Sequence, residues 1–404
     1  MLCRISDRRH RAPDTLGTVR AVTTHEGRLE VAQVPDLEPG PGQILLDVRR
    51  CGICGSDLHA RTHGDVTADA LAQMGYNDFI RSRDTVVLGH EFVGTVTAYG
   101  PGTRRAWKPG TRVVALPMLG TGDGVQLTGL SAKAPGGYAE QVLVSEAFAF
   151  PVPDAVSDDH AALVEPLAVA HHAVRRSEIG RREVAVVVGC GPIGLAVILL
   201  LKAAGVRTVV ASDPSPGRRE LAQRCGADVV VDPRETDPFD AYGERRGHLR
   251  SAQGLFDLAL GSMRAARRLP GSSWARLMRL AERTGQLPKG PVVFECVGVP
   301  GMIDTMVATA PLRSRVIVVG VCMEPDTIRP SIAIGKEIDL RFVFGYDPAE
   351  FHQTLQWIAS GKVDPSPLIT GTVGLDGVAG AFADLAEAGE HAKILIDPRA
   401  AAAS

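Results

Sequence analysis

The sequence predicts an α/β protein, a β-rich unit joined to a doubly wound parallel sheet. Three observations carry that expectation. Short β-rich runs punctuated by Pro/Gly clusters occupy the chain from Val19 to Val144. After Glu165 the pattern changes to alternating strand-like and helix-like segments. Within that second part, the apolar run 184–188 leads directly into Gly189-Cys190-Gly191-Pro192-Ile193-Gly194, a strand followed by a glycine turn and a helix.

The β-rich runs are 19–23, 43–49, 92–99, 112–116 and 139–144. Pro39-Gly40-Pro41-Gly42 and Lys108-Pro109-Gly110 supply turn residues between them. Together they suggest a twisted, barrel-like sheet. In the second part, strands are expected at 184–188, 207–212, 227–231, 291–297 and 315–321, and helices at 192–204, 216–225 and 302–310. The tail adds helices near 348–360 and 375–388, a last strand at 392–396 and a frayed end from 400 to 404. Residues 184–201 are all apolar, Gly, Cys or Pro, long enough for a membrane span. The glycine turn in their middle makes a buried strand, turn and helix the better reading.

With 404 residues, 45% of them hydrophobic and 22% charged, the chain can bury a sizeable core. A net charge of −2 gives no global attraction to nucleic acid or an anionic membrane. Seven scattered cysteines, with only Cys51 and Cys54 close together, argue against a disulfide framework and for a reducing cytoplasm. Residues 1–17 are Arg-rich without an apolar h-region, so they read as a disordered extension rather than a secretory signal. Residues 65–85 and 238–290 look like insertions. The second carries Arg245, Arg246, Arg250, Arg264, Arg267, Arg268, Arg276, Arg279, Arg283 and Lys289 against Asp240, Glu244, Asp257 and Glu282. The plain reading is a solvated helix face, and the sharper one is recruitment of an acidic or phosphate-bearing partner.

Gly189, Gly191 and Gly194 permit a tight turn, close backbone approach to a pyrophosphate and close helix–strand packing. The helix N-terminus beginning at Pro192 and Ile193 offers free N–H groups to phosphates. Asp213 ends the next strand, 24 positions after Gly189. A carboxylate there accepts both ribose hydroxyls and repels a 2′-phosphate, so NAD is expected over NADP. Arg218 is expected along the adenine, and the Arg218-Arg219 pair weighs slightly the other way.

Cys51-Gly52-Ile53-Cys54-Gly55-Ser56-Asp57-Leu58-His59 is answered downstream by Gly89-His90-Glu91. A thiolate, an imidazole and a carboxylate suit zinc, which accepts S, N and O ligands. Ser56 and His59 add proton-handling groups beside it. Read blindly, Cys51 and Cys54 could be a redox pair or half a zinc ribbon, but no second CxxC exists. His63, His171 and His172 have no motif around them and read as packing or surface residues, with His63 also a candidate for the substrate mouth.

These motifs, with Pro109-Gly110-Thr111-Arg112-Val113, Gly136-Gly137-Tyr138-Ala139-Glu140, Glu165-Pro166-Leu167 and Glu295-Cys296-Val297-Gly298, run in order over residues 18–398. The chain resembles the zinc-containing medium-chain alcohol dehydrogenases, most of all their polyol and threonine dehydrogenase branch. The resemblance implies a GroES-like catalytic domain, residues 18–165 and 342–398, wrapped around a Rossmann NAD-binding domain at 166–341. It implies that Cys54 and His90 ligate one catalytic zinc, that Glu91 ligates or sits just behind the metal, and that Glu165 binds it directly or through water. Cys51 is a non-ligand in that family, and Asp57 is expected to support the ligands through hydrogen bonds. Many relatives hold a structural zinc with four cysteines in a lobe after the first half of the barrel; no cysteine lies between Arg112 and Gly137, so no structural zinc is expected. Insertion 65–85 stretches the Cys54–His90 separation to 36 positions, which leaves the substrate open.

The implied chemistry is reversible NAD-linked oxidation of a primary or secondary alcohol, such as a polyol or diol, to a carbonyl compound. Ser56 is expected to take the hydroxyl proton and pass it through the nicotinamide ribose toward His59 and solvent. Val297, Gly320 and Val321 are expected to border the nicotinamide. A small-molecule alcohol or carbonyl substrate, no nucleic acid, no membrane, and a homodimer or tetramer complete the expectation. Two rivals are a zinc-free reductase of the same superfamily, which would lack Cys54, His90 and Glu165, and a non-catalytic nucleotide-binding protein, which would not need Ser56 and His59.

Overall fold

The computed structural model describes residues 17–243, 248–268, 273–283, 288–387, 389 and 391–400. The expected N-terminal extension up to residue 16, the frayed residues 401–404 and parts of insertion 238–290 lie outside the described residues.

Six strands form one parallel sheet, in the spatial order Val229–Val231, Thr208–Ser212, Val184–Val188, Val292–Glu295, Arg315–Val318, Asp339–Phe342. Val184–Val188 is central and every residue in it is buried, which explains its unbroken apolar run. Its neighbours in sequence and in space diverge here: the chain goes first to Thr208–Ser212 on one side and later to Val292–Glu295 on the other. The glycine turn therefore leaves the sheet at a topological switch point, where open α/β sheets place their ligands.

The β-rich unit centres on Gln43–Gly52. It pairs antiparallel with Glu91–Tyr99, Gln141–Ser145 and, at its C-terminal end, Lys393–Ile396. Lys393–Ile396 pairs in turn with Ile369–Val373, so the end of the chain completes a sheet begun by its start. The register sets Gly52 opposite both Glu91 and Leu395. A Cβ on Gly52 would lie 2.1 Å from Glu91 Oε2, so only glycine leaves room for that buried carboxylate.

Helix Val164–Ser177 joins the two units. It packs against helices Pro192–Ala203 and Pro348–Ala359 in a core that also includes Val93 and Val114 of the β-rich sheet. Leu167 and Leu195 are fully buried there, and truncating either to alanine costs about 2–5 kcal/mol.

Insertion 65–85 continues the metal-side helix, which runs Gly55–Gln73 with a break at His63 (φ −129°, ψ 25°). The chain then returns through Tyr76 and Asp78. These hold the hairpin Met118–Thr121/Gly124–Leu127 through Tyr76 Oη, which accepts from Leu127 N, and Asp78, which accepts from Gln126 Nε2 and pairs with Lys133. The cysteine-free lobe is thus tied down by polar contacts from the insertion. Insertion 238–290 forms helices Ala252–Arg267 and Trp274–Arg283. No described helix is long and apolar enough to cross a membrane.

Candidate active site

Cys54 precedes the first turn of helix Gly55–Gln73, and His90 and Glu91 stand at the start of strand Glu91–Tyr99. Their donor atoms lie within 4.8 Å of one another, and this is the one such group of metal-capable side chains among the described residues. A sulfur, a nitrogen and an oxygen at that spacing fit zinc.

Asp57 organises this group. Its Oδ2 accepts from Cys54 N at 3.0 Å and from Tyr138 Oη at 2.6 Å, and its Oδ1 lies 3.2 Å from His90 Nδ1. A carboxylate at Nδ1 favours the proton there and leaves the Nε2 lone pair for a metal. His90 Nε2 faces Ser56 Oγ at 3.1 Å. Burial opposes a charged His90, but the neighbouring Asp57 and Cys54 outweigh it and raise its pKa well above the ordinary value. The Cys51 thiol is pushed far up by burial and then by Asp57 and Glu91, so it stays neutral.

Glu91 is fully buried, and both of its oxygens accept from Lys393 Nζ, at 2.7 and 2.8 Å. Lys393 also donates to Ile53 O at 2.9 Å. Burial works against the lysine's charge, but Glu91 and then Cys54 hold its pKa above the usual value. Glu165 lies outside the close donor group. Its Oε1 accepts from Tyr346 Oη at 2.9 Å. Burial, reinforced by Glu91, raises its pKa to about 7.

His59 is exposed one turn beyond Ser56, with its ring edge-on to His63 at 6.2 Å between centroids. Partial burial of the ring and then His63 lower its pKa. No hydrogen bond joins Ser56 to His59 among the described residues, so the expected relay needs an intervening group. His171 packs against Trp357 and bonds Thr354, and His172 pairs with Glu350, both as packing residues.

The cofactor residues converge as well. Gly189 adopts φ +89°, and a Cβ there would lie 2.7 Å from Val297 Cγ2. A Cβ on Gly194 would meet Gly189 O at 1.9 Å, so strand and helix approach only through glycine. Gly191 caps helix Pro192–Ala203, whose second residue is Ile193. Asp213 is buried, accepting from Cys190 N and Ser215 N at 2.8 Å each. Each oxygen retains a lone pair for a ribose hydroxyl. Arg219 is held on Asp213 O, Pro214 O and Asp232, and Arg218 N donates to Ser215 Oγ. Glu295 accepts from Val297 N and Gly298 N, and Gly320 packs so closely on Gly298 that a Cβ would lie 2.4 Å from its nitrogen. Val297 and Val321 stay exposed beside the turn.

Two residues of this site carry no motif: Lys393 and Tyr346. Lys393 had one legible signal, a lysine opening the apolar strand Lys-Ile-Leu-Ile. Tyr346 had none.

Residues 40–154 match the alcohol dehydrogenase GroES-like domain, and residues 192–259 match the zinc-binding dehydrogenase family. (R,R)-butanediol dehydrogenase of Bacillus subtilis is 31% identical over 381 residues, covering 92% of this chain and 96% of that protein. Sorbitol dehydrogenase of Gallus gallus is 28% identical over 389 residues, covering 93% and 95%. The crystal structure of 2R,3R-butanediol dehydrogenase from Bacillus subtilis aligns with a TM-score of 0.71 at 29% identity, over 94% of this chain and 100% of that one. With this fold, this donor group and these relatives, the chain belongs to the zinc-containing medium-chain alcohol dehydrogenases, in the branch that includes butanediol and sorbitol dehydrogenases.

Proposed function

We propose that this dehydrogenase reversibly oxidises a secondary hydroxyl of a diol or polyol to a ketone, using NAD. The observation that carries the reading is the approach of Cys54, His90 and Glu91 donors to within 4.8 Å. Relatives named for butanediol and sorbitol support the substrate class.

Cys54 and His90 would hold zinc, with Glu91 or Glu165 as the third protein contact. Zinc, when bound, supplies the Lewis acidity that lowers the pKa of an alcohol hydroxyl. NAD, when bound, takes up the hydride. The chain's own groups do the rest. Asp57 fixes the orientation of His90. Ser56 Oγ, 3.1 Å from His90 Nε2, is placed to accept the proton of a hydroxyl seated beside that imidazole. His59 stands at the solvent edge to release it. Lys393 donates to both oxygens of Glu91, and Tyr346 donates to Glu165, so the two carboxylates are poised differently toward the same centre. Cytoplasmic residence and a homodimer or tetramer belong to the same reading, supported by the scattered cysteines and the family resemblance.

Metal analysis together with NADH formation on a panel of diols, polyols and amino alcohols tests it. Cys54→Ser and His90→Ala should each lower turnover on the order of 10³-fold, since a Lewis acid contributes several kcal/mol. NADH binding, read by fluorescence, should persist. Retained turnover in either variant would favour a zinc-free reductase, and absence of turnover on every alcohol with bound zinc and NADH would favour a non-catalytic protein.

A further inference from the structure

We propose that the helical hairpin of insertion 238–290 docks the enzyme on an anionic lipid bilayer. Helices Ala252–Arg267 and Trp274–Arg283 pack on one another, and no described residue of the first is buried. Phe256 is 62% exposed and Leu260 52%, one turn apart on the same flank. Leu258 and Leu277 add further exposed apolar surface. A soluble domain seldom leaves several large apolar side chains together in water without a partner.

The charges carried by the same two helices select the partner. Residues 252–283 carry six arginines against Asp257 and Glu282, in a chain whose net charge is −2. Arg276, Arg279 and Arg283, at i, i+3 and i+7, form a stripe along one face of the second helix, and all are exposed. Apolar anchors flanked by arginine suit the boundary between acyl chains and anionic headgroups. Arg264, one turn beyond Leu260, is exposed on the Phe256–Leu260 flank, so a second copy meeting that flank would set arginine against arginine. RNA would answer the arginines but not Phe256 and Leu260. Helices of 16 and 10 residues are too short to span a bilayer, so the hairpin lies on it. The whole-chain charge conceals this local excess.

The root of the hairpin is fixed to the cofactor-binding unit. Leu249 O accepts from Leu312 N, and Arg250 pairs with Asp237 and Asp240. Lipid contact would therefore position the whole enzyme without touching Cys54 or the glycine turn.

The test is sedimentation of the full-length enzyme with vesicles of phosphatidylcholine, alone or mixed with phosphatidylglycerol. Binding is expected on the mixed vesicles only, weakening as salt rises. Arg276→Gln with Arg279→Gln should weaken it on the order of 25-fold, about fivefold per arginine. Phe256→Asp with Leu260→Asp should abolish it, while alcohol turnover stays unchanged and reports an intact fold. No binding to either vesicle, or equal binding by the arginine variant and the parent, overturns the proposal. So does a fall in oligomer mass of the Phe256→Asp/Leu260→Asp variant without vesicles, which would assign the face to a second copy.

Discussion

Gly189, Gly191, Gly194 and Asp213 meet across one strand, one turn, one helix and the next strand. Cys54, His90, Glu91, Glu165, Tyr346 and Lys393 come from five separate stretches of the chain. The difference is physical. The cofactor turn rests on backbone conformation, such as φ +89° at Gly189, on contacts within one βαβ unit, and on the neighbouring strand end at Cys296 and Val297. The metal pocket rests on buried charge, and charge is stabilised by whatever partner the tertiary fold delivers. The first region should tolerate change in the second, and the metal pocket should be sensitive to residues remote in sequence.

The largest expected effect tests that remoteness. Lys393→Met leaves Glu91 buried without its counter-ion and should cost about 3–5 kcal/mol in denaturant unfolding. Adding Glu91→Gln should recover most of the loss. An unchanged unfolding midpoint for Lys393→Met would remove the lysine from the site.

Next, Asp57→Asn weakens the restraint on His90 while preserving shape. Metal affinity, measured by chelator competition, should fall roughly 10–100-fold with NADH affinity unchanged. A matching loss of NADH affinity would show that the two regions are not independent.

On the cofactor side, Asp213→Gly should shift the NAD/NADP preference by about tenfold toward NADP, as a charged hydrogen-bond partner and a phosphate-repelling group are lost. Steady-state kcat/KM with both cofactors reads this. Because Asp213 also accepts from Cys190 N and Ser215 N, a small drop in thermal stability should accompany it. An unchanged preference would leave Asp213 as a brace for the turn only.

The remaining effect is a pH dependence. The folded, metal-free protein holds a proton on Glu165 up to about pH 7, whereas the ordinary value is 4.5. The unfolded chain releases that proton first, so stability contributed at low pH declines as pH rises from about 4.5 to about 7. Glu165→Gln should flatten this slope in thermal melts of chelator-treated protein. An identical slope in parent and variant would assign the titration elsewhere.

Legibility follows the same division. Strand Val184–Val188 and the glycine turn were readable because burial on both faces and left-handed backbone each demand particular residues. Cys54 and His90 were readable because their neighbours form a recognisable motif. The third metal contact was not. Glu91 and Glu165 look alike as carboxylates, and only the pairing of one with Lys393 and the other with Tyr346 separates them. Insertion 65–85 was visible by its length, but its continuation of helix Gly55–Gln73 past a break at His63 was not.

By itself, then, the sequence determined the strand–turn–helix proposed to receive a dinucleotide, the thiolate and imidazole proposed to hold a metal, and the alternation that makes a parallel sheet. Those features depend on side-chain type and on spacing along a few turns of chain. The tertiary structure alone decided that Lys393 neutralises Glu91, that Glu165 holds its proton near neutral pH, and that Arg219 is engaged by Asp232. Each of these is a property of buried or crowded charge, whose energy is set by neighbours brought together from distant segments.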